Sequence, residues 1–179
     1  CREAVSFTKK NFSHVDILVN AAGLTDRGNI VETSEELFDQ MIGVNVKGPF
    51  FLIQDVVKNM IENEIKGSII NIGSQAAITG QPFLSSYSLS KGALATLTKN
   101  TAFALLKNNI RVNQLNIGWM ASDGEHAIQT KFHNAPENWL EEAEKKQPFK
   151  RLLKTDEVAK AVTFLASSAS GMMTGSVIA

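Results

Sequence analysis

Apolar positions fall into two alternating forms along the chain, short unbroken runs and longer stretches spaced by three and four. Ala4, Val5, Thr8 and Phe12 share one face at helical spacing, which predicts a helix over 2–12 with Lys9 and Lys10 pointing elsewhere. The run Asp16-Ile17-Leu18-Val19-Asn20-Ala21-Ala22-Gly23 is apolar and then small, the pattern of a strand buried on both faces. Thr33 with Glu36 predicts a capping box ahead of Leu37, Phe38, Met41 and Ile42, in a helix reaching about Val44. A second helix starts near Gly48-Pro49, proline being tolerated in a first turn, and continues through Leu52, Val56, Val57, Met60 and Ile61. Further strands are predicted at Ser68–Gly73 and Ile110–Ile117, with a helix from about Ser86 to Lys107 between them. Thr155 is the expected cap of a helix with Asp156 and Glu157 in its first turn and Val158, Ala161, Val162 and Leu165 inward. Thr174–Ala179 reads as a strand just begun.

Strands separated by helices imply one α/β domain over residues 1–179 with a parallel sheet. The pattern yields three strands and part of a fourth, where a doubly wound sheet has about five or six. Residues 119–149 are long and irregular in pattern, with Trp119, His126, Phe132, His133 and Trp139 and a charged helical stretch from Trp139 to Lys146. Long insertions of this kind are commonly functional, and a substrate lid is expected here.

Composition narrows the function. The 18 basic residues balance the 18 acidic ones, which gives no electrostatic reason to expect nucleic acid or an anionic membrane as partner. A single cysteine excludes an internal disulfide or a cysteine-built zinc site and fits a reducing, cytoplasmic setting. No apolar run approaches the roughly 18 residues of a membrane span. His14, His126 and His133 form no metal-like grouping with acidic residues, so no metal is expected.

The chemistry concentrates between Gly67 and Ser90, a stretch with no charged residue but six serines and the only tyrosine of the chain. Tyr87 and Lys91 stand four apart, on one helix face. An ammonium close to a phenol favours the phenolate, so the pair is a candidate acid/base working near neutrality. Such pairs are also common as plain helix-surface neighbours. What distinguishes this one is its company: Asn20-Ala21-Ala22-Gly23 closing a strand, Asn45 in V-N-V-K-G, Ser74 in I-N-I-G-S, Arg111-Val112-Asn113, and Thr174-Gly175.

In this order and spacing the set resembles the short-chain dehydrogenase/reductase family, along almost the whole chain. The resemblance implies a Rossmann-like doubly wound parallel sheet and an NAD(P)-dependent oxidoreductase interconverting a secondary alcohol and a ketone, a sugar or polyol being one candidate. It implies Tyr87 as acid/base, Lys91 as the group that lowers the tyrosine pKa and holds the nicotinamide ribose, Ser74 as hydrogen-bond partner of the reacting oxygen, and Asn45 as holder of a relay water. NAD or NADP would lie against Asn20, Ala21, Ala22, Gly23, Tyr87, Lys91, Gly118, Met120 and Ser122. His126 and Glu125 are candidates for hydrogen bonds to a polyhydroxylated substrate. The helices over 49–63 and 86–107, with Phe50, Phe51, Ala93, Leu97 and Phe103, would meet a second subunit in a homodimer or homotetramer.

Two departures matter. Ile117-Gly118 stands where the family usually has Pro-Gly, with Ser122 in place of a threonine. The Gly-rich loop T-G-x-x-x-G-x-G is absent, and Asp16–Gly23 corresponds to the family's fourth strand. The expectation is therefore an incomplete domain, its first three strands missing and its last truncated, with Cys1 as a truncation scar and the isolated chain marginally stable and inactive. The alternatives are a non-catalytic truncated or oligomerising derivative, or non-redox chemistry on the same Ser/Tyr pair.

Overall fold

The computed structural model describes residues 2–179; the reading of Cys1 lies outside the described residues. In chain order the elements are α1 (Arg2–Phe12), β1 (Ile17–Asn20), α2 (Glu35–Ile42), α3 (Gly48–Glu62), β2 (Ser68–Ser74), α4 (Ser85–Ala104), β3 (Arg111–Ile117), β4 (Met120–Ala121), α5 (Asp123–His133), α6 (Trp139–Lys146), β5 (Leu153–Lys154), α7 (Thr155–Ala166) and β6 (Val177–Ile178).

Strands β1, β2, β3 and β6 form a parallel sheet in that order. Side chains alternate across it. Ile69 and Val112 join Ile53, Val56 and Met60 of α3 and Ala102 of α4 in the core on one face. Ile70 and Ile72 meet Leu165 of α7 on the other, with Val158 and Val162 packed against them. Helices on both faces of a parallel sheet make the doubly wound arrangement expected, with the three strands and partial fourth counted from the pattern. β1 and β6 stand at the two ends of this order among the described residues, and Ile17 and Val19 of β1 are 48% and 39% exposed.

A second row of residues on the α4 side of the sheet is polar. Asn20 Nδ2 donates to Asn71 Oδ1 at 2.8 Å, Asn71 Nδ2 donates to Thr98 Oγ1 at 2.8 Å, and Thr98 donates to Leu94 O at 2.9 Å. All four strand and helix positions in this row, Asn20, Asn71, Thr98 and Gln114, are buried. Their pairing offsets the cost of burial.

Several local expectations change. Ser34, not Thr33, caps α2: its Oγ accepts the Leu37 N–H, while Thr33 donates to Asn29 O. The chain does not break between α2 and α3; Gly43–Lys47 winds as a π-helical turn that joins them. Lys154, not Thr155, occupies the cap position of α7, and Glu157 reaches back to accept its backbone N–H at 3.0 Å. The helix expected to reach Lys107 ends as α4 at Ala104, followed by a 3-10 turn. In the 119–149 stretch the helix expected over Trp139–Lys146 is α6, while α5 is a helix the pattern does not predict; β4 pairs with β5 in a small separate parallel ladder. Among the residues expected at a subunit contact, Phe50 and Phe103 are exposed, whereas Leu97 packs against its own core. Among the described residues, no helix is long and apolar enough to cross a membrane, and no group of three metal-ligating side chains is gathered.

Candidate active site

The C-terminal ends of β1, β2 and β3 open onto a cleft of about 890 Å3, the place where parallel sheets of this kind leave a crevice. Ser74 is the last residue of β2. Tyr87 and Lys91 follow on the first turns of α4. All three line the cleft.

Their arrangement differs in one respect from the expectation. Lys91 is buried and donates its ammonium to the Ile72 carbonyl at 2.9 Å. It stands 5.7 Å from the centre of the Tyr87 ring. Burial pulls the Lys91 pKa down to about 8. The phenol of Tyr87 is pushed above its ordinary value, not below it. Burial is the largest cause; a hydrogen bond with Ser74 and the charge of Arg27 pull it down, and Glu125 pushes it up. Burial, which the helical spacing does not report, is what decides the direction.

Of the residues expected to hold a dinucleotide, Ala21, Gly23, Gly118, Met120 and Ser122 also line the cleft. A side chain at Gly23 would come within 3.4 Å of Lys91 Nζ, whereas one at Gly118 would project into open space. Ser122 spends its lone pairs on α5, accepting the Glu125 N–H as N-cap; its hydroxyl hydrogen stays available. Asn20 is not on the wall but in the sheet, bonded to Asn71, and Ala22 does not line the cleft either.

Asn45 is likewise behind the wall. It lies fully buried in the π-helical turn, where its Oδ1 accepts the Leu24 N–H at 2.8 Å. Its Nδ2 donates to Leu24 O and to Ser90 Oγ, both at 2.9 Å. The carboxamide thus pairs with both backbone groups of a cleft residue and with α4, which makes it a latch between the N-A-A-G loop and the helix of Tyr87. π turns recur at functional sites, and here the turn is what aims Asn45 inward.

Pattern reasoning missed Arg27, Gln75, Phe83 and Gln129, all on the wall. Glu125, expected as a substrate contact, does line the cleft, and accepts from Trp119 Nε1 and Gln129 Nε2 at 2.7 Å each. His126 does not line the cleft; its Nδ1 accepts from Trp139 Nε1 at 2.8 Å. Trp139 stacks with Trp119 and is buried with Ala143 and Leu152.

The family profile described as enoyl-(acyl carrier protein) reductase matches residues 1–179. The chain belongs to the short-chain dehydrogenase/reductase family. It is 42% identical over 176 residues to an uncharacterized oxidoreductase of Thermotoga maritima, covering 98% of this chain and 69% of that one. Among solved structures it is similar to an NAD+-bound xylitol dehydrogenase, with a TM-score of 0.88 at 27% identity, over 98% of this chain and 71% of that one. A gluconate 5-dehydrogenase from Burkholderia cenocepacia in complex with NADP and tartrate gives a TM-score of 0.86 at 28% identity, over 99% of this chain and 67% of that one. This short-chain dehydrogenase/reductase chain therefore carries the fold of an oxidoreductase family over about two thirds of its relatives' length.

Proposed function

We propose that the protein interconverts a secondary alcohol and a ketone on a small polyhydroxylated molecule, with NAD or NADP as hydride carrier. The observation that carries this reading is the gathering of Ser74, Tyr87 and the buried Lys91 on one cleft wall at the end of β2 and the start of α4. The names of the relatives, xylitol and gluconate dehydrogenases among them, support the substrate class.

The residues present fit a dinucleotide. Lys91 uses one of its three donors on Ile72, leaving two toward the cleft for ribose hydroxyls. Gly118 leaves a space that any side chain would fill. Ala21, Gly23, Met120 and the Ser122 hydroxyl would complete the cradle. When bound, the dinucleotide supplies the hydride that the side chains themselves cannot.

The chain's own residues handle the proton. Tyr87, a neutral phenol at physiological pH as any tyrosine is and held so more firmly by burial, donates its proton to the carbonyl oxygen as that oxygen gains charge. Ser74 donates a second hydrogen bond to the same oxygen and stabilises its anionic character. In the reverse direction the deprotonated phenol accepts the alcohol proton. Asn45 acts as a positioning residue, holding Leu24 and Ser90 so that the N-A-A-G loop and α4 keep their spacing. Residues 119–149, bearing the stacked Trp119 and Trp139, form the lid that excludes water.

The test is NAD(P)H absorbance with a panel of polyols and ketoses, using the full gene product and its Tyr87→Phe variant. Substrate-dependent turnover that the variant loses supports the assignment; turnover that the variant keeps overturns it.

A further inference from the structure

Arg27 is the one arginine on the cleft wall among the described residues. Its backbone is fixed. The next residue, Gly28, is fastened to the start of α4 by two hydrogen bonds, Gly28 N–H to Phe83 O and Ser85 N–H to Gly28 O, both 3.0 Å. A side chain at Gly28 would strike Thr33, so the approach of this loop to the Tyr87 helix depends on glycine there.

The guanidinium is fixed as well. It lies 5.4 Å from the centre of the Phe83 ring, Nε donates to His133 Nε2 at 3.2 Å, and Nη1 donates to Thr25 O at 3.0 Å. Nη2 has no protein acceptor among the described residues. No carboxylate pairs with the guanidinium either. The neighbouring Asp26 is taken by Lys131 at 3.2 Å. Glu125 is held by Trp119 and Gln129. It sits eight residues before His133 on α5, about 12 Å along the helix axis.

The cleft is therefore bipolar. A half-buried, pre-oriented guanidinium without a counter-ion stands at one end and an anchored carboxylate at the other. Tyr87 feels both, with opposite signs. A planar fork with free donors matches a carboxylate, which it can grip through two parallel hydrogen bonds. Carboxylate and amide acceptors at the far end, Glu125 with Gln129, suit hydroxyl groups.

We infer that the cleft takes a polyhydroxy carboxylate, a sugar acid or its keto form, seated with its carboxylate on Arg27 and its far hydroxyls on Glu125. This rests on the proposed oxidoreductase reading for the reacting carbon, but the carboxylate seat is testable without it.

Calorimetry on the full gene product would use gluconate, sorbitol and sorbitol 6-phosphate, with the wild type, Arg27→Gln and Arg27→Lys. Gluconate should bind the wild type at least tenfold more tightly than sorbitol, as expected for a charge-assisted pair of about 10- to 100-fold. Arg27→Gln should erase that preference. Arg27→Lys, which keeps the charge but not the fork, should restore part of it and shows that the loss is not misfolding. Equal affinity for gluconate and sorbitol, no gluconate binding, an Arg27→Gln variant that keeps the preference, or tighter binding of the sugar phosphate would each overturn the inference. NAD(P)H formation read in parallel separates the two proposals. Arg27-dependent gluconate binding with no turnover on any substrate leaves the carboxylate seat standing without the redox reading; turnover with no carboxylate preference does the reverse.

Discussion

Lys91 and Ile72 form a closer pair than Lys91 and Tyr87: the ammonium donates to the Ile72 carbonyl at 2.9 Å and stands 5.7 Å from the tyrosine ring centre. The lysine is thus held on the cleft wall near the end of β2 by one main-chain acceptor. A buried charge with a single neutral partner costs the fold, and the depressed pKa records that cost.

Lys91→Met should therefore stabilise the fold while ending turnover. The folded-state pKa of about 8 lies below the ordinary 10.5. Between those values the unfolded chain holds more protons than the folded one, so stability rises with pH across that window. Below pH 8 the full penalty applies, about 3 kcal/mol from the size of the shift, less what the bond to Ile72 returns. Urea unfolding at pH 7 should show the variant more stable by about 2 kcal/mol, with the gap closing toward pH 10.5. A variant less stable than wild type at pH 7 would contradict this.

The two reaction directions should respond oppositely to pH. Tyr87 is raised above its ordinary value, so the phenol stays protonated through neutrality. Ketone reduction, which needs the protonated form, should be flat in kcat/KM from acid pH upward and bend down near pH 8, where Lys91 loses its charge. Alcohol oxidation needs the phenolate and should climb about tenfold per pH unit up to about pH 8, where loss of the Lys91 charge makes the climb shallower. Profiles of kcat/KM in both directions check this, since they report the free enzyme; an oxidation rate flat from pH 6 to 9 would sink it.

The sheet and most of the helices could be read from the chain because their apolar periodicity is strong. Tyr87 and Lys91 could be paired from spacing, but Ser74 and Asn45 needed the resemblance to a family. Other features left little trace. Thr33 and Ser34 are adjacent hydroxyl residues, each able to cap α2, and only the fold shows that Thr33 is drawn to Asn29. α5 has no buried residue, so it lacks the apolar stripe by which a helix is recognised. Arg27 is a lone basic residue in a loop; its place on the wall follows from the Gly28–Leu84 bridge, a contact across more than fifty residues. Ser122 carried a visible hydroxyl, yet whether it serves the cleft or the helix cap depends on the backbone.

Thr98→Val should cost more than its size suggests. The hydroxyl accepts from Asn71 and donates toward Leu94, with Gln114 Oε1 at 3.3 Å, at a site with no solvent access. Valine keeps the shape but leaves Asn71 Nδ2 buried without an acceptor, a loss of about 1–3 kcal/mol. Chemical denaturation should show that drop, and Thr98→Ser should recover much of it. An unchanged midpoint for the valine variant would mean the polar row is not what holds Asn71.

Gly118→Leu separates binding from folding at the cleft. The glycine's backbone is not in the left-handed region, and a Cβ there meets nothing within 4 Å. The substitution should therefore leave the melting temperature close to wild type, as exposed changes away from packed sites do, within about 0.5 kcal/mol. The same open space is what a bound dinucleotide would need, so the leucine should weaken NAD(P)H binding at least tenfold by fluorescence titration. If binding is unchanged while stability holds, the dinucleotide does not approach β3 here. If stability collapses instead, Gly118 serves the fold, and the cradle must be sought at Gly23 and Lys91 alone.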